Sequence, residues 1–116
     1  MNNYGGTRTK VLSMLGMARR AGKLQAGFER CEAAVKSGRA ALTLACSDIS
    51  HKTQKELSFV CDKYRVTFIS TDLTIAELSD AIGVRAGLAA ICDNGFAKRL
   101  TSLLTAKRED DLHYDD

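Results

Sequence analysis

The feature that most constrains this chain is a recurrence of short apolar runs, residues 41–46, 66–70 and 88–92, separated by longer stretches whose apolar residues return at helical spacing. Runs that short suit strands buried by helices rather than helices of their own. The stretches between them read as helices. Residues 10–21 place Val11, Leu12, Leu15 and Ala18 on one stripe, broadened by Met14 and Met17, and stop at Gly22. Residues 23–26 suit a very short strand. Residues 28–37 then bury Phe28, Cys31 and Val35 and end at Gly38. A third helix spans residues 51–64 with Leu57, Val60, Cys61 and Tyr64 inward. Thr74 and Glu77 have capping-box spacing for a fourth, closed by Gly83. A last helix follows Asp93, Asn94 and Gly95, with Phe96, Leu100, Leu103 and Leu104 on its inner side.

This alternation predicts an α/β fold, a three-layer α/β/α sandwich around a four-stranded mixed sheet. With 116 residues and 45% of them hydrophobic, the chain supports one domain and a modest core. Residues 10–105 are expected to form that domain, residues 1–9 a flexible N-terminus, and residues 106–116 a frayed acidic tail. No stretch has the quality of a signal peptide or a membrane span, so a soluble, cytoplasmic protein, acting as a monomer and without a membrane partner, is expected.

The net charge of +3 conceals an asymmetry, because residues 109–116 carry five acids and no base, leaving residues 1–108 at +8. Eight of the bases crowd into residues 1–39, against Glu29 and Glu32. Such a body favours a polyanionic partner, whether RNA, DNA or an acidic membrane. The four cysteines, Cys31, Cys46, Cys61 and Cys92, are far apart, form no CxxC pair and sit among apolar neighbours. They read as free buried thiols in a reducing compartment, with no metal site.

Little points to catalysis. His51 falls near a helix start and His113 in the tail, and the common metal, nucleotide and nucleophile motifs are missing. Asp48 and Asp93 follow strands and suit loop or cap roles better than metal chemistry. No catalytic residue and no cofactor are assigned.

Two segments stand out as candidate surfaces. In residues 22–32 a short strand runs into Gly27 and a helix start, where unsatisfied backbone N–H groups can hold a phosphate or a base edge. Glu29 would offer an acceptor there and Arg30 a forked donor, although the same pattern also suits an ordinary helix start. In residues 82–90, Arg85 can neutralise a phosphate while the small side chains of Ala86 and Gly87 permit close contact. Structural need explains Gly83 and Gly87 as readily.

At these segments the chain resembles the kink-turn RNA-binding ribosomal protein superfamily, the L-seven-Ae and L-thirty-e group, in its small bacterial YlxQ-like branch. The resembling blocks are residues 15–27, 34–40, 44–48, 83–87 and 93–97, in order, across roughly residues 10–105. The resemblance implies a compact α/β/α fold and noncatalytic binding of structured RNA, a kink-turn or a ribosomal RNA element. It places Gly27, Phe28, Glu29 and Arg30, onward to Ala33, in the groove at the kink, and the loop of Val84, Arg85 and Ala86 over nucleotides at the bend. Lys23 is expected to help position the RNA backbone. Strong kink-turn binders carry a Gly-Thr-Asn-Glu-like helix start and a basic residue one turn later. Here Phe28, Glu29 and Arg30 follow Gly27, and Ala33 stands at the later position. The alternative reading is a ribosome-associated protein-interaction module without selective kink-turn recognition.

Overall fold

The structure, a computed structural model, describes the backbone of residues 3–115 and the side chains of residues 6–105. Five helices alternate with four strands: α1 (Asn3–Arg20), β1 (Leu24–Ala26), α2 (Phe28–Lys36), β2 (Leu42–Ala45), α3 (His51–Tyr64), β3 (Thr67–Ser70), α4 (Ile75–Ile82), β4 (Leu88–Ile91) and α5 (Asn94–Asp115). The strands form one mixed sheet in the order β1-β4-β2-β3. β4 runs antiparallel to both β1 and β2, whereas β2 and β3 are parallel. The expected α/β/α sandwich is what the chain adopts.

The period-2 alternation of the central strands explains the layers. Leu42 and Leu44 of β2, with Ala89 and Ile91 of β4, pack against Val11, Leu15 and Ala18 of α1, Leu78 and Ile82 of α4, and Leu100 of α5. The opposite faces, Ala45, Leu88 and Ala90, meet Cys31, Ala34 and Val35 of α2 and Leu57 and Cys61 of α3. Every residue of β2 and β4 is therefore buried, while β3, at the sheet edge, has exposed ends at Thr67 and Ser70 and half-buried Phe68 and Ile69 between them. Thr43 is the one polar side chain buried among the described residues, and its hydroxyl oxygen accepts from the Cys61 thiol at 3.2 Å.

The helix ends follow sequence chemistry. Thr74 and Glu77 form the capping box reciprocally at the start of α4, and Ser50 accepts from the Thr53 N–H at the start of α3. Asp93 accepts from the Phe96 N–H at 2.8 Å, so Asn94 and Gly95 lie inside the first turn of α5 rather than before it. Asp48 accepts from the Ile75 N–H at 2.9 Å. Both strand-end aspartates thus serve as caps.

Several expectations need correcting. α1 begins at Asn3, not near residue 10, and Arg8 within that added length is tied to Glu77 at 2.7 Å and Asp72 at 3.1 Å. α5 continues as helix through Asp115. Met17 and Tyr64, expected inside, lie at the edges of their helical stripes and are 43% and 42% exposed. Between α1 and α4, a side chain at Gly16 would meet the Ala81 carbonyl at 2.9 Å, so this glycine sets how closely the two helices approach.

Candidate nucleic-acid interface

The sheet topology gathers the candidate residues at one rim. β1, β2 and β3 point the same way, because β4 is antiparallel to β1 and β2 and β3 is parallel to β2. The helices that follow them, α2, α3 and α4, therefore begin at the same end of the sheet, and β4 starts there too.

At that rim Gly27 takes φ 97° and ψ 157°, a conformation essentially restricted to glycine. Its N–H donates to the Leu88 carbonyl at 3.0 Å, and its own carbonyl accepts from the Cys31 N–H at 2.9 Å, closing the first turn of α2. No side chain caps this helix, in contrast to α3, α4 and α5. The first N–H groups of α2 thus lack intrahelical acceptors and sit at the positive end of the helix dipole.

The loop between α4 and β4 is built to hold its shape. Gly83 closes α4 in the left-handed conformation, its N–H donating to the Ser79 carbonyl at 2.9 Å. The Ser79 hydroxyl accepts from the Ala86 N–H at 3.0 Å and donates to the Ala86 carbonyl at 3.3 Å. At Gly87 a side chain would collide with Ile49 and press on Ile75, and the Gly87 carbonyl accepts from the Cys46 N–H at 2.9 Å. The loop is pinned at both ends, and its tip, Val84 and Arg85, is exposed.

Of the expected site residues, Gly27, Glu29, Arg30, Val84 and Arg85 come together, joined by the pairing of β1 with β4. Glu29, Arg30 and Arg85 are exposed, and among the described residues their side chains have no ion-pair or hydrogen-bond partner. Phe28 is half-buried and packs on the α2–α3 core, so it anchors the helix start more than it faces outward. Ala86 is turned into the core and both of its backbone groups are engaged by Ser79, which takes it off the surface. Lys23 is not brought to the rim. It precedes β1 at the opposite end, where its carbonyl accepts from the Cys92 N–H at 2.7 Å, about 13 Å along an extended strand from Gly27.

The thiols of Cys31, Cys46 and Cys61 are buried, and that of Cys92 is half-buried. Burial pushes Cys31 up to about 12, with the Cys61 and Cys92 thiols adding to it, and burial followed by the charges of Asp48 and Glu77 pushes Cys46 up to about 11. Groups so disfavoured as thiolates are poor nucleophiles and poor metal ligands. Among the described residues no cluster of His, Cys, Asp and Glu is placed to hold a metal ion, and no helix is long and apolar enough to cross a membrane.

The three-layer scaffold of the L7Ae type thus presents an uncapped helix start on the same rim as the pinned loop that carries Arg85. Residues 9–101 match the model of the ribosomal protein L7Ae/L30e/S12e/Gadd45 family, and the chain belongs to that non-enzymatic family. It is 32% identical over 99 residues to the RNA-binding protein YlxQ of Enterococcus faecium, covering 85% of this chain and 95% of that one. To the RNA-binding protein YlxQ of Bacillus subtilis (strain 168) it is 35% identical over 92 residues, covering 78% and 91%. Among solved structures, a protein of unknown function from Bacillus halodurans superposes with a TM-score of 0.78 at 32% identity, covering 82% of this chain and 96% of that one. The Giardia lamblia 15.5kD RNA binding protein shares the fold at a TM-score of 0.69 and 14% identity, covering 87% of each chain.

Proposed function

We propose that this protein binds structured RNA without catalysis, in the cytoplasm, with a kink-turn or a ribosomal RNA element as its target. The observation that carries the reading is the junction of the two candidate segments: the uncapped start of α2 is bonded through Gly27 to Leu88, where the 83–87 loop enters the sheet, with Glu29 and Arg30 on the helix and Arg85 on the loop all exposed and unpaired. The first N–H groups of α2 receive a phosphate or a base edge. Arg30 and Arg85 neutralise backbone phosphates on either side of the bend, and Val84 supplies an apolar contact to an unstacked base. Glu29 has no reason to approach phosphate, so its role is to accept from a base amino or imino group. Lys23, at the other end of β1, adds a more distant phosphate contact. The bacterial relatives named for RNA binding support the class of ligand.

The test is titration of an RNA containing a bent internal loop with tandem G·A pairs, against the same RNA with those pairs replaced by Watson–Crick pairs, across a salt series. The double variant Arg30→Ala, Arg85→Ala, checked by circular dichroism to be folded, is expected to bind more weakly and to lose about two units of salt slope, one for each phosphate contact. Unchanged affinity and slope in that folded variant would remove the proposed surface. Equal binding of the two RNAs by the parent protein would remove the kink-turn target while leaving structured-RNA binding in place.

A further inference from the structure

The end of the sheet opposite the α2 rim carries a row of cations of which the RNA-binding reading uses only Lys23. β1, β2 and β3 begin at that end and β4 finishes there, so the connections 21–23, 37–41, 65–66 and 92–93 share it. Lys23, Arg39 and Arg65 stand in three of these connections, all exposed, and among the described residues none has an ion-pair partner. Of the acids nearby, Asp93 is engaged as the cap of α5 and Glu32 is paired with Lys36 at 3.3 Å, which leaves the exposed Asp62.

Strand order spaces the three cations. Lys23 leads into β1 and Arg39 toward β2, on either side of β4 and the Cys92 that follows it. Burial raises the Cys92 thiol, and the charges of Arg39 and Lys23 pull it back down, as two flanking cations do. Arg65 leads into β3, one strand beyond β2. With about 4.8 Å between neighbouring strands, the row is about 14 Å long. Cations spread that far do not converge on one phosphate. They match a run of phosphates along a backbone.

Arg65 gives a second, independent observation. Left-handed glycines, Gly22, Gly38 and Gly83, follow the ends of α1, α2 and α4. After α3 the same conformation is taken by Arg65, at φ 60° and ψ 40°, the one non-glycine residue with positive φ among the described residues. Its N–H donates to the Asp62 carbonyl at 3.2 Å, a bond that glycine would make with less strain. Its guanidinium has no hydrogen bond or ion pair within the described protein. Nothing in the fold calls for an arginine at this position, whereas a ligand outside the fold does.

We propose that Lys23, Arg39 and Arg65 form a second RNA face, which grips the phosphate backbone of a paired stem. The proposal rests on the RNA-binding reading and deepens it. The α2 rim lies at one end of β1 and this row at the other, about 13 Å away, so one molecule holds a bent element and a second stem together.

The probe is a fully paired RNA duplex with no internal loop, titrated with the full chain across a salt series. The variant Arg39→Ala, Arg65→Gly, checked by circular dichroism to be folded, is expected to bind it on the order of tenfold more weakly and to lose about two units of salt slope. Parent protein already saturated with the bent-loop RNA is expected to take up the duplex as well, a ternary complex that native mass spectrometry counts directly. Arg65→Gly alone is expected to raise the denaturation midpoint while weakening duplex binding, opposite signs that a purely structural arginine does not give. Unchanged duplex affinity and slope in the double variant would overturn the proposal. So would a bent-loop complex that excludes the duplex, or an Arg65→Gly protein less stable than its parent. If the double variant instead loses binding to anionic phospholipid vesicles and keeps the duplex, the row is a membrane face and the proposal fails. The α2 rim is tested apart from this row, by Arg30→Ala, Arg85→Ala with the bent-loop RNA. Should the parent chain not bind that RNA, the duplex titration decides alone.

Discussion

The N–H of Gly27 donates to the carbonyl of Leu88 at 3.0 Å, so one backbone bond couples the start of α2 to the residue where the α4–β4 loop enters the sheet. It extends the β1–β4 ladder by one step beyond Ala26 and Ala89. The φ of 97° at Gly27 is what lets the chain make this bond and still turn into the helix.

Gly27→Ala therefore tests the coupling without filling space, because an added methyl there would meet nothing within 4 Å. The cost is conformational, about 1–2 kcal/mol. Chemical denaturation should report that loss, and RNA affinity measured well below the unfolding midpoint should fall as well, because the helix start and the loop lose their common anchor. A variant that is destabilised yet binds RNA unchanged would separate the anchor from recognition.

Ser79 makes a second, independent prediction. Its hydroxyl satisfies both backbone groups of Ala86, and Ser79→Ala leaves a largely buried N–H without that acceptor. A loss of about 1–2 kcal/mol is expected. Hydrogen exchange at the amides of residues 84–87 should accelerate more than exchange in β2. Uniform acceleration across the protein would show that the clamp is not local to the loop.

Much of the fold is legible in the sequence because burial on two faces writes itself as uninterrupted apolar runs. Residues 42–45 and 88–91 are buried throughout, and the Thr74–Glu77 spacing marks its helix start by chemistry confined to one turn. What the sequence hides depends on distant partners. The early start of α1 goes with Arg8 reaching Glu77 and Asp72, more than sixty residues away. Ala86 reads as a small surface residue until Ser79 is seen to fold it inward. For the candidate site, the two segments are legible one at a time, but their adjacency rests on β1 pairing with β4, which periodicity does not specify. Lys23 was separable in principle, since an extended strand sets its two ends apart, and only the register with Cys92 makes the distance plain.

That separation yields a comparison between two side chains. Lys23→Ala should weaken RNA binding less than Arg30→Ala in the same salt series, since Lys23 stands at the far end of β1 from the α2 start. Glu29→Ala should leave the salt slope unchanged while altering the ranking among RNAs with different internal-loop bases. Unaltered rankings in a folded Glu29→Ala protein would remove base reading at that position.

Alkaline pH probes the thiols. Folded Cys31 is held up to about 12 and Cys46 to about 11, against an ordinary value of 9.0. The unfolded chain loses these protons first as pH rises, so the stability the buried thiols confer is intact below pH 9 and declines as pH climbs toward the folded values. The limiting slope is about 1.4 kcal/mol per pH unit for each thiol. Denaturation midpoints followed across that window should fall less steeply in Cys31→Ala than in the parent chain. Identical slopes would show that other groups govern the alkaline limit.

Removal of residues 109–116 is expected to strengthen RNA binding at low salt. It takes away five acids and no base, raising the formal charge from +3 to +8. Counterion release then favours RNA binding, so affinity at low salt should rise and the advantage should shrink as salt screens the added field. If truncation lowers RNA affinity across the whole salt range, the tail contributes to the RNA surface instead of opposing it.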